Sequence, residues 1–245
     1  MGIISYAQNF EDVMLWRCLG HVKNGFYIDV GAHHPVDDSV SLAFYENGWR
    51  GLHVEPSEFY SQLLKKYRPD EITLTKLLSD KNGASHFFEI AESGLSTGIE
   101  NIAIEHQKKG YLTVTKEVET ITLDSIFADF GDIQVHWLKI DVEGMEKLVL
   151  SGWRESAYRP WVILIESTYP NSQVETHEDW EKLVIEKSYK FVYFDGLNRY
   201  YISKQHPELE KSFSTPPNIF DDFTIAPSSP YACKLRSASL ESNNK

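Results

Sequence analysis

Four short apolar runs in this chain close on an acidic residue or carry one at their end: FYIDVG at 26–31, LHVE at 52–55, WLKID at 137–141 and WVILIE at 161–166. Segments with helical spacing separate them. Apolar runs of this length alternating with helices predict parallel strands buried on both faces. Ligands of such folds bind beyond the carboxyl ends of the strands, where these acids fall. The fold class is therefore read as α/β, a doubly wound, mostly parallel sheet of about seven strands.

The remaining elements follow from period and punctuation. Residues 5–19 read as a helix capped by Ser5, with Phe10, Val13, Met14 and Leu15 on its apolar face. Strands are expected at 26–30, 52–55, 72–78, 86–90, 136–141 and 161–167. Helices are expected around Leu42–Tyr45, up to Tyr67, around Glu143–Leu150 and over 177–187. Thr122 is a candidate cap for a short helix, and the stretch between Thr97 and Thr122 has no decisive pattern. An antiparallel pair, 190–194 and 199–203, ends the series. The chain divides into an accessory helix and linker (1–24), a main domain (25–226) and a Pro/Ser-bearing tail (227–245) expected to be mobile.

The formal charge of −12, with no Lys/Arg-rich stripe, argues against a nucleic-acid partner. No apolar span approaches the roughly 20 residues of a membrane helix, and no secretory signal opens the chain. A cytoplasmic protein is expected, with peripheral membrane association open for a lipid-linked substrate. Cys18 and Cys233 do not make a disulfide framework.

Chemistry concentrates at the strand ends. Gly31 leaves room for close backbone approach, and Asp29 can position an amino group or simply cap the turn. Residues 31–36, Gly-Ala-His-His-Pro-Val, lack the dinucleotide fingerprint, so NAD is a poor inference. Glu55 can accept from a ribose or stand as a turn carboxylate. Ser79 and Asp80 can reach an adenine or cap a turn. In LKIDVEG, Asp141 sits at a strand end and Glu143 near the next helix start, where each has a structural reading as turn or cap. His33 and His34 are proton-transfer or substrate candidates, His34 favoured because Pro35 fixes the next step. Glu166 and Ser167 fall on the same face, which Asp195 could approach from a later strand end. Glu11 and Asp12 are candidates to close over the cleft or bind a substrate hydroxyl, or belong to a plain helix.

The blocks SYAQNFEDVML, FYIDVGAHHP, WRGLHVEPS, TLDSI and WLKIDVEGMEKLVL, in this order, resemble the FkbM family of S-adenosylmethionine-dependent methyltransferases over residues 5–202. The resemblance implies methyl transfer, usually to a hydroxyl of a sugar, glycolipid or other small natural product. It implies cofactor contact at Asp29, Gly31, Glu55 and Asp80, and an active centre at Asp141, Glu143 and Gly144. His33-His34-Pro35 departs from the frequent Asn-Ile/Val-Gly continuation, in a form that recurs in a subgroup. Asp141 with Glu166 raises a divalent-metal site like that of some catechol-type methyltransferases; a metal-free polar pocket is preferred, two oxygen ligands being too few. The competing reading is a noncatalytic nucleotide- or sugar-binding module.

Overall fold

A computed structural model describes residues 2–91 and 93–232. The strands are β1 (Ile3–Ser5), β2 (Phe26–Val30), β3 (Arg50–Val54), β4 (Ile72–Leu74), β5 (Leu77–Leu78), β6 (Gly83–Ile90), β7 (Thr113–Ile121), β8 (Trp137–Ile140), β9 (Val162–Glu166), β10 (Tyr189–Phe194), β11 (Asn198–Ser203) and β12 (Phe223–Ile225). The helices are α1 (Glu11–Leu19), α2 (Leu42–Glu46), α3 (Glu58–Tyr67), α4 (Glu100–Lys108), α5 (Leu123–Ala128), α6 (Glu146–Ser151) and α7 (Glu181–Glu186).

Seven strands form the main sheet in the order β10-β11-β9-β8-β2-β3-β4. The sheet is mixed: β11 runs antiparallel to both its neighbours, while β9, β8, β2, β3 and β4 are mutually parallel. Side-chain alternation along the central strands makes two cores. Ile28, Leu138, Ile163 and Ile165 face α5, α6 and α7 through Phe127, Val149 and Val184. Tyr27, Trp137, Val162 and Leu164 face α1 and α2 through Leu15, Leu19 and Phe44. Tyr27 and Trp137 stack with ring centroids 4.5 Å apart across β2 and β8. Such a sheet, apolar on both faces, must be covered on both sides.

Several expectations are corrected. The N-terminal helix begins at Glu11, not residue 5, because Ile3–Ser5 pairs in parallel with β12 from the far end of the chain. Ser5 does not cap that helix; its hydroxyl donates to Asp12 at 2.7 Å. The run 72–78 is two strands, with β5 turned into a separate sheet of order β5-β7-β6. The strand expected at 86–90 is β6, and the stretch that had no clear pattern holds α4 and β7, β7 pairing antiparallel with β6. The segment 177–187 splits into a 3-10 turn and α7. Thr122 does cap α5, accepting from the Ser125 N–H. Cys18 is a buried free thiol, whereas Cys233 and most of the expected tail (233–245) lie outside the described residues. Among the described residues, no helix is long and apolar enough to cross a membrane.

Candidate active site

The chain leaves β2 outward to β3 and β4, then returns to β8 on the opposite side. Loops diverge at that reversal and open a crevice beyond the strand ends. It is a cavity of about 420 Å3, lined from β2 by Asp29 and Gly31, from β3 by Glu55, and from β8 and β9 by Lys139, Asp141 and Glu166. Gly31 has φ +75°, and a Cβ there would lie 1.8 Å from the Asp141 carbonyl oxygen. Only glycine lets the β2 and β8 turns pack this closely.

Glu55 defines one end. Its Oε2 accepts the His33 N–H and its Oε1 the Ser57 N–H, both at 2.8 Å. Burial pushes its carboxyl up to about 7, against the pull of those two N–H donors. Asp29 is 2% exposed; Oδ2 accepts the Ser41 hydroxyl at 2.7 Å, and Oδ1 has no hydrogen-bond partner among the described residues.

The opposite wall is an acid cluster around one cation. Lys139 Nζ lies 2.8 Å from Asp141 Oδ2 and 4.0 Å from Asp29 Oδ1. Burial raises the Asp141 carboxyl, but the adjacent ammonium outweighs it and leaves the group below its ordinary range. Burial, followed by the charge of Asp141, holds Glu143 and Glu166 well above theirs. One oxygen from each of Asp141, Glu143 and Glu166 lies within 4.8 Å of the others, so these are the residues that could hold a cation. Glu143 stands before α6 with φ 51°, and its carbonyl accepts the Thr97 hydroxyl at 2.8 Å. That bond ties the 93–98 loop over the cluster.

Glu11 reaches the same cavity from α1, where Asn198 donates to it at 2.9 Å. Burial, followed by the charge of Asp195, raises its carboxyl to about 8. His33 also lines the cavity, with its imidazole pKa lowered first by burial.

Asp12, His34, Ser79 and Asp80 do not line the cavity. Asp12 instead accepts from Ser5, Tyr6, Ala7 and Val13 and fixes the turn into α1. His34 Nδ1 accepts the N–H groups of Val36 and Asp37, which spends it on its own loop. Ser79 donates to Asp80, and Asp80 lies 3.9 Å from Arg154 outside the cavity. Lys139 is the residue that sequence reasoning missed. Its signal was a lysine inside an otherwise apolar strand, which must find a carboxylate if the strand is buried.

Residues 29–193 match the family model described as the methyltransferase FkbM domain. Among solved structures, the chain is similar to a TehB-like SAM-dependent methyltransferase from Corynebacterium glutamicum ATCC 13032 Kitasato, at 8% identity and a TM-score of 0.45, over 79% of this chain and 88% of that one. No curated protein matches the chain in sequence.

Proposed function

The chain belongs to the FkbM methyltransferase family, and from that premise we propose that it moves a methyl group from S-adenosylmethionine to a hydroxyl of a sugar, glycolipid or small natural product. The observation that carries this reading is one cavity with Glu55 at one end and the Lys139–Asp141 pair at the other. The residues fit the cofactor's charge. Among the described lining residues, eight acidic side chains face two lysines; with Glu11, Glu143 and Glu166 protonated, five still outnumber the two cations, a field that favours a sulfonium and an ammonium and disfavours phosphorylated acceptors. Asp29 Oδ1, which accepts no hydrogen bond among the described residues, offers an acceptor to a cationic group, and the position of Glu55 beyond the end of β3 supports a ribose contact for its carboxyl.

When bound, the cofactor supplies an electrophilic methyl on sulfur. The chain's part is alignment and proton handling. Asp141, held ionised by Lys139, would accept a hydrogen bond from the acceptor hydroxyl and so orient its oxygen for methylation. The acceptor's proton would pass to Asp141 as its oxygen takes the methyl, the electron pair of the broken S–C bond leaving on the sulfur of S-adenosylhomocysteine. Glu143 and Glu166, kept neutral by burial and by Asp141, orient other hydroxyls as donors. Most of the acceleration on this account comes from holding the acceptor oxygen in place within the crevice. Lys139 supplies the positive charge at the reacting end, so the transfer needs no metal.

Calorimetric titration with S-adenosylhomocysteine, together with intact-mass analysis of hydroxyl-bearing acceptors, tests the proposal. Micromolar binding and gain of one methyl on an acceptor oxygen are expected. Binding without transfer to any hydroxyl acceptor would favour the noncatalytic binding module instead.

A further inference from the structure

Arg68 is wholly buried at the C-terminal end of α3 and does not line the cavity. Its Nη2 donates to the Pro35 carbonyl at 2.6 Å and the Ser39 hydroxyl at 2.7 Å; its Nη1 donates to Ser41 Oγ at 2.7 Å. Ser41 then donates its own proton to Asp29 Oδ2 at 2.7 Å. Donor and acceptor order is therefore fixed along the chain Arg68, Ser41, Asp29. Ser39, Ser41 and Asp29 are each no more than 2% exposed. The buried Glu71 carboxylate, 3.8 Å away, balances the guanidinium and is itself held by Tyr27 at 2.5 Å and His53 at 2.8 Å.

Burying a guanidinium is costly, and an aliphatic side chain would fill the place without that cost. What the arginine provides is geometry. It clamps both ends of the 35–41 loop and, through Ser41, occupies one oxygen of Asp29, while the other, Oδ1, makes no hydrogen bond among the described residues and stands 4.0 Å from Lys139 Nζ in a residue that lines the cavity. We propose that Arg68 and Ser41 are positioning residues that aim Asp29 Oδ1 at the cationic end of the cofactor. This rests on the reading of the cavity as an S-adenosylmethionine site. Neither residue touches the cofactor or the reacting atoms.

The test compares Ser41→Ala with Ser39→Ala in the full chain. Both remove a hydroxyl that binds Arg68, but only Ser41 bonds to Asp29. With S-adenosylhomocysteine in a calorimeter, S41A is expected to bind about tenfold more weakly and S39A within about twofold of the parent. In turnover, S41A should raise the KM for S-adenosylmethionine about tenfold and leave kcat within about twofold. Equal affinity of S41A and the parent overturns the relay, as does an equal loss in both variants, which would assign the effect to loop loosening. Should S41A melt early, Ser41→Cys keeps the size with a weak donor and carries the same two outcomes. A parent protein that fails to bind S-adenosylhomocysteine overturns the cofactor reading and the relay with it. Parent binding with S41A unaffected overturns the relay alone.

Discussion

Lys139 Nζ stands 2.8 Å from Asp141 Oδ2, two positions along one strand, and 4.0 Å from Asp29 on the neighbouring strand. Its ammonium is raised further by both carboxylates, overcoming the opposite push of burial. The pair is thus a fixed charge arrangement: Asp141 is held low beside Glu143 and Glu166, whose carboxyls are pushed well above their ordinary range.

Lys139→Met should therefore move the acid limb of the kcat–pH profile. The sign follows from Asp141: its carboxyl is held low only while the ammonium is beside it. Without the cation, the upward push of burial is opposed only by the weaker pull of the Glu166 hydrogen bond and His33, and protonation occurs at higher pH. The limb is expected to rise by at least about one unit, which corresponds to roughly 1.4 kcal/mol. A limb that stays in place would separate Lys139 from the ionisation of Asp141.

Glu55→Gln should weaken cofactor binding without abolishing the fold. Both Glu55 oxygens accept backbone N–H groups, and an amide can satisfy only one of these donors, leaving the His33 or Ser57 turn misaligned. The charged hydrogen bonds at stake are worth about 1.5–3 kcal/mol each, so calorimetry should read an affinity loss of about tenfold or more. Unchanged affinity with an intact circular dichroism spectrum would remove Glu55 from the cofactor site.

Thermal melts of the ligand-free protein should carry the mark of Glu11. Its folded-state carboxyl is raised to about 8. The protonated form is the one the fold favours, so its contribution to stability is complete below about 4.5 and is lost as pH rises towards 8. The Tm of the parent minus that of Glu11→Gln should accordingly fall between pH 5 and pH 8. A difference independent of pH would contradict the buried, proton-holding state of Glu11.

Exhaustive chelation should leave methyl transfer intact, because the cation facing Asp141 is Lys139. Atomic-emission measurement of residual metal accompanies the assay. Loss of activity on chelation, restored by a divalent ion, would instead make Asp141, Glu143 and Glu166 its ligands.

The strand ends were readable in the sequence because buried parallel strands leave continuous apolar runs. Asp29, Gly31, Glu55, Asp141, Glu143 and Glu166 all lie at the cavity for that reason. Pairing between distant segments was not readable. The β1–β12 pair joins the two ends of the described chain, and nothing local in Ile3–Ser5 announces it. Lys139 lies opposite Asp29 only through the β2–β8 register. Where polar residues followed a strand, sequence order could not tell a cavity contact from a turn bond. His34 and Asp12 are consumed by backbone N–H groups beside them, whereas His33 and Glu11, their immediate neighbours, face the cavity.

The central claim is that Asp141 serves the transfer step rather than cofactor capture. Asp141→Asn keeps the side chain's size and removes its charge, so the most direct measurement is single-turnover methyl transfer at saturating cofactor and acceptor, beside calorimetry of S-adenosylhomocysteine. The account predicts a rate lower by about 10–1000-fold, where each tenfold is about 1.4 kcal/mol, with affinity for S-adenosylhomocysteine within about threefold of the parent. Near-parental transfer by a correctly folded D141N protein would contradict it.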